Sequence, residues 1–177
     1  MTTGALCIRA HRSTDATKEE WPVASADAEV HSTVLAFDFG VKRIGVATGD
    51  TTLAIAHPLD TIDFEDNRRR FESIAVLIEQ WCPVRLVVGC PRTDNGAEHP
   101  LAAPVQRFCR RLEARFGLPV DVVDEHLSSW SASRQLSQTG VPARDQKRRI
   151  DAMAACVILD SWFEARRSGA VLPKAGR

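Results

Sequence analysis

Nothing in this chain of 177 residues pairs cysteines at close spacing. Cys7, Cys82, Cys90, Cys109 and Cys156 are odd in number, far apart and never in a CxxC arrangement. That argues against a disulfide framework and a cysteine zinc site, and it fits a reducing compartment, the cytoplasm. Long apolar runs are missing too: none approaches the roughly 18 residues of a membrane span, and the first 30 residues lack the apolar core of a signal peptide. A membrane partner is not expected. Net charge is also absent, because 23 basic and 23 acidic residues cancel; the whole chain does not advertise a polyanion partner, although local patches still can. No internal repeat is visible.

What is present is an apolar content of 44%, enough for one domain with a sizeable core. Residues 1–32 mix charges with Ala, Ser and Thr without sustained periodicity, which predicts a poorly ordered N-terminal extension. The domain is expected over 33–167, followed by a flexible tail over 168–177 that carries Gly169, Pro173 and Gly176. Inside the domain, TVLAFDF (33–39) and RIGVATG (43–49) read as two strands joined by a Gly40-Val41-Lys42 hairpin turn. LAIAHPLDTI, from Leu53, reads as a third strand, with Pro58 marking an edge or a bend. Phe71, Ile74, Ala75, Ile78 and Trp81 recur at helical spacing within 66–81. Val84–Gly89 is a continuous apolar run, as a strand covered on both faces should be. Helices are expected over 100–116, 128–138 and 149–167, with a fifth strand over 120–124. Three strands in meander followed by crossovers describe a mixed α/β sheet with helices on both faces.

Three acids stand out against this background. Asp38 lies among the apolar residues of the first strand, where a carboxylate is costly unless a cation, a hydrogen-bond network or a metal compensates it. Glu125 follows the fifth strand, at the end where open α/β sheets place their ligand sites. Asp151 opens the last helix, on one stripe with Ala154, Ala155, Ile158 and Trp162. Small alanines let that helix approach the sheet, so the three acids can meet in one crevice. Like charges that converge need a cation, and hard oxygen ligands suit Mg²⁺ or Mn²⁺. Each acid also has a plainer reading: a hydrogen bond to the hairpin or to Lys42 for Asp38, a solvated strand end for Glu125, and a first-turn acid complementing the helix dipole for Asp151.

FDFGVKRIGVATGD, VVGCPRTDNGAEHP, VDEHLSS and IDAMAACVILDSWFE, in this order and spacing, resemble the YqgF family of ribonuclease H-like proteins, described as Holliday junction resolvases and as pre-16S rRNA nucleases. The resemblance covers roughly residues 33 to 165 and implies a ribonuclease H-like fold with a mixed five-stranded sheet. It also implies that Asp38, Glu125 and Asp151 form a metal-dependent nuclease site. Two positions depart from the family pattern: Cys90 stands where Leu is usual, and His126 stands where Arg is usual. A His contact to phosphate would be weaker and pH-dependent.

Lys42 and Arg43 follow Asp38, and Arg144, Lys147, Arg148 and Arg149 lead into Asp151. Positive groups ringing an acidic site are what a nuclease needs to hold a polyanion, and Arg92 and His126 join them as candidate nucleic-acid contacts. Arg68–Arg70 and the arginines of 107–115 read instead as solvated charge. The expected function is metal-dependent hydrolysis of phosphodiesters at the 5′ end of pre-16S rRNA, by a monomer or homodimer acting on a structured rRNA precursor. Resolution of branched, four-way DNA is the alternative, and a non-catalytic nucleic-acid-binding or transcription-factor-binding module is a third reading. A sugar-kinase-like phosphotransferase is disfavoured, because such enzymes close two domains of this kind around a nucleotide.

Overall fold

The computed structural model describes residues 32–91, 99–125 and 143–173; the side chains of Glu125 and of residues 143–146 lie outside that description. The elements are β1 (Thr33–Phe39), β2 (Ile44–Asp50), β3 (Ile55–Ile62), α1 (Asn67–Trp81), β4 (Arg85–Pro91), α2 (Ala102–Phe116), β5 (Val120–Glu125) and α3 (Ala143–Arg167). The sheet order is β3-β2-β1-β4-β5. β1–β2 and β2–β3 are antiparallel, whereas β1–β4 and β4–β5 are parallel. This is the expected meander followed by crossovers. The helix expected over 128–138 lies outside the described residues.

The central strands are apolar on both faces because both faces are covered. Leu35 and Phe37 of β1 and Leu86 and Val88 of β4 enter one core with Phe71 and Ile74 of α1 and Phe108 and Leu112 of α2. Val34 and Ala36 of β1 and Val87 of β4 enter the other, with Ala155, Ile158, Leu159 and Trp162 of α3. The period of two in each strand thus feeds two layers. β3 is an edge strand, one of the two readings that Pro58 left open, and its register with β2 shifts between Val46 and Ala47. Asp66 caps α1 by accepting from the amides of Arg68 and Arg69. Left-handed Gly117 ends α2.

Three expectations are revised. The last helix begins at Ala143 rather than Arg149, so Asp151 sits in its third turn and is not a first-turn acid serving the helix dipole. Arg70, grouped with the solvated charges, is only 5% exposed; its guanidinium donates to the carbonyls of Phe64 and Val41. At the C-terminal end, the amide of Val122 donates to Pro173 O at 2.9 Å, and Leu172 packs on the second core. The chain is therefore tied to the β5 edge as far as Pro173. A buried polar link holds α3 to the parallel strands: Asp121 accepts from Arg85 Nη1 and from Trp162 Nε1, each at 2.8 Å.

Candidate functional site

Asp38 is the sixth residue of β1 and pairs across the sheet with Gly45 of β2. A Cβ on Gly45 would stand 1.9 Å from the carbonyl oxygen of Asp151 and 3.1 Å from the amide nitrogen of Ala152. The missing side chain is what lets α3 rest on β2 at this point, and it brings Asp151 over the strand pair that carries Asp38. The Asp38 carboxyl titrates well above the ordinary 3.8, at about 6, first because burial penalises its charge and second because the Asp151 charge is close. Among the described residues, no donor is hydrogen-bonded to the Asp38 carboxylate. Asp151 has a partner: Arg43 Nε donates to its Oδ2 at 2.6 Å.

Glu125 is the last residue of β5, and its backbone pairs with Pro91 at the end of β4. Since β1, β4 and β5 run parallel, Asp38 and Glu125 occupy C-terminal strand ends along one edge of the sheet, where such folds bind ligands. No group of three metal-ligating side chains is assembled among the described residues. Two of the three expected acids are brought together, and the side chain of the third is outside the description. A partly buried carboxylate that has no donor among the described residues, beside a second carboxylate, is a donor set of hard oxygens, which fits a hard divalent cation better than a soft one.

The basic residues separate into classes that the sequence did not distinguish. Lys42, Lys147 and Arg149 are exposed; Lys147 lies one turn before Asp151 on α3. Arg43 is occupied by Asp151. Arg148 has partners within the protein: its Nη2 donates to Asp60 Oδ1 at 2.9 Å and to Thr61 O at 3.4 Å, while buried Thr61 donates its hydroxyl to Arg148 O at 2.7 Å. Arg92 and His126 lie outside the described residues, as does the Arg144 side chain. Sequence reasoning missed Gly45 and Arg70. A glycine inside a strand is a signal of close backbone approach and marked the first; a basic run offers no signal for the second.

An antiparallel meander continued by parallel crossovers, with helices on both faces and acids at the strand ends, defines a ribonuclease H-like fold. The fold is shared with the Thermus thermophilus RuvC chain solved in complex with a Holliday junction substrate, at a TM-score of 0.51 and 14% identity over 81% of this chain and 100% of that one. Residues 32–165 match the family model described as "RuvX: Holliday junction resolvase". Among curated relatives, a "Putative pre-16S rRNA nuclease" of Methylobacillus flagellatus is 56% identical over 135 residues, 76% of this chain and 92% of that protein. One of the same description from Chromobacterium violaceum is 53% identical over 131 residues, 73% of this chain and 96% of that protein. The chain belongs to the RuvX family.

Proposed function

We propose that this protein is a cytoplasmic nuclease that hydrolyses phosphodiester bonds at the 5′ end of the 16S rRNA precursor, using Mg²⁺ or Mn²⁺ held by Asp38, Glu125 and Asp151. The observation that carries the reading is the juxtaposition of Asp38 with Asp151, the first without a hydrogen-bond donor among the described residues and the second paired with Arg43. The naming of relatives 40 to 56% identical as pre-16S rRNA nucleases supports the RNA substrate.

When bound, a divalent ion at such a site polarises the phosphoryl oxygens and lowers the pKa of water. The chain's own groups do the rest. Asp38 is fixed in the central strand pair and anchors the site rigidly, while Asp151 is set by the contact of α3 with Gly45. Burial raises the proton affinity of Asp38, so the free site is partly protonated near pH 6 and presents its full negative charge above it. Lys42, Lys147 and Arg149 are exposed and lie within four residues of Asp38 or Asp151 in the chain; they hold backbone phosphates on either side of the scissile bond, without reading sequence.

The test is cleavage of matched substrates, a structured rRNA precursor and a four-way DNA junction, by the wild type and by Asp38→Asn, with Mg²⁺ and with Mn²⁺. The proposal expects metal-dependent trimming of the RNA that the variant lacks. Cleavage of the junction alone would instead make this protein a resolvase, and binding without cleavage of either would make it a non-catalytic module.

A further inference from the structure

The Arg43–Asp151 pair raises a question that the metal reading leaves open: a guanidinium already neutralises one of the proposed ligands. A dication seated between Asp38 and Asp151 would repel that guanidinium and compete with it for the same carboxylate. Arg43 needs somewhere to go.

The neighbouring strand supplies the place. Ile44 pairs with Ile62, so Arg43 and Asp63 are the next residues outward on adjacent antiparallel strands. Asp63 is exposed, and its charge is among those that stabilise protonated Arg43, after the contribution of Asp151. The backbone between them is held still. The buried Arg70 guanidinium donates to Val41 O, in the turn before Arg43, and to Phe64 O, immediately after Asp63. Both segments are thus pinned to one rigid side chain, and Arg43 can exchange partners by rotating its own side chain, with no movement of strands.

We propose that Arg43 is a resident counter-ion of the metal site, which discharges Asp151 while the site is free and is handed to Asp63 when a divalent cation enters. The idea rests on the metal reading given above. It assigns Asp63 a role as a positioning residue: it touches neither metal nor substrate, and acts by accepting Arg43.

Mn²⁺ binding to the full chain, followed by the electron paramagnetic resonance of the free ion, tests this without reference to activity. Arg43→Gln removes the competitor and should bind Mn²⁺ about fivefold more tightly, while Asp63→Asn removes the acceptor and should bind about fivefold more weakly, within the range of couplings between contacting charged groups. In the Arg43→Gln background, Asp63→Asn should change affinity by less than about twofold, because nothing remains to be handed over. Arg43→Lys keeps the charge and should keep the Asp63→Asn effect; Arg43→Met replaces the glutamine variant in the comparison should that one not fold. Equal effects of Asp63→Asn in the wild-type and Arg43→Gln backgrounds would show plain charge attraction and overturn the hand-over, as would the absence of any gain in Mn²⁺ affinity from Arg43→Gln. A wild type with no saturable Mn²⁺ site sensitive to Asp38→Asn would overturn the metal reading itself, and the hand-over with it.

Discussion

Gly45 and Asp151 are packed so closely that the carbonyl oxygen of Asp151 occupies the space of a side chain at residue 45. The contact is backbone on backbone, so no rotamer change can relieve an added methyl group. Gly45→Ala should therefore destabilise the protein by at least about 2 kcal/mol, within the usual cost of overpacking, and displace Asp151 from Asp38. Denaturant melts read the first effect. Loss of cleavage by the folded fraction, with all three acids intact, reads the second.

The raised proton affinity of Asp38 makes a pH prediction with a definite sign. A carboxyl moved from 3.8 to about 6 costs the folded protein about 3 kcal/mol once ionised in both states. Solvent access and ion screening reduce this to about 1–2 kcal/mol. The cost is absent below the unfolded value and grows as pH rises through the folded one. In EDTA, Asp38→Asn should then be more stable than the wild type above pH 6, and the advantage should fade towards pH 4. Metal should reverse the order at neutral pH by stabilising only the wild type. A variant less stable at every pH, together with a wild type indifferent to metal, would make Asp38 a structural acid.

The carboxylates carry a separate expectation. Asp38→Asn, Glu125→Gln and Asp151→Asn should each abolish cleavage while nucleic-acid binding, followed by fluorescence anisotropy, stays largely intact. Near-full activity in any one of them removes that residue from the ligand set.

Neighbouring basic residues should respond differently to substitution. Neutralising exposed Lys147 and Arg149 together should flatten the salt dependence of nucleic-acid binding, by about 0.7 to 0.9 in logarithmic slope for each phosphate that is no longer neutralised. Arg148→Ala should leave that slope unchanged and cost stability by up to about 1 kcal/mol, since its partners are Asp60 and Thr61. A slope that moves with Arg148 and not with its neighbours would exchange their roles.

Asp121 offers a control remote from the acids. It is 6% exposed and bonded to both Arg85 and Trp162, so Asp121→Ala strands two donors and should cost about 3 kcal/mol. Mn²⁺ affinity of the folded protein, measured well below the melting temperature, should not change.

Much of the fold was legible in the chain because it depends on local periodicity. The two-residue alternation of TVLAFDF and the nearly unbroken apolar run of β4 anticipate strands covered on both faces, and Pro58 anticipates an edge or a bend. Asp38 was conspicuous as an unpaired charge in such a run. The start of α3 was less legible: residues 143–148 are mostly polar or charged, so no apolar stripe marks their helical turns before Ile150 and Ala152. Arg70 was misread as solvated for a related reason, since a guanidinium looks the same in sequence whether it meets water or two backbone carbonyls.

Strand and helix types and a core on both faces of the sheet can be read from the chain alone, because they follow from hydrophobic periodicity, and Asp38 stands out because a carboxylate among apolar neighbours is costly. Which arginine meets which acid was decided only by tertiary structure. Arg43 and Asp151 are 108 residues apart, and Arg148 reaches back 88 residues to Asp60; long-range ion pairs leave no periodic trace. They depend on where α3 comes to rest, and that is set by the absent side chain of Gly45.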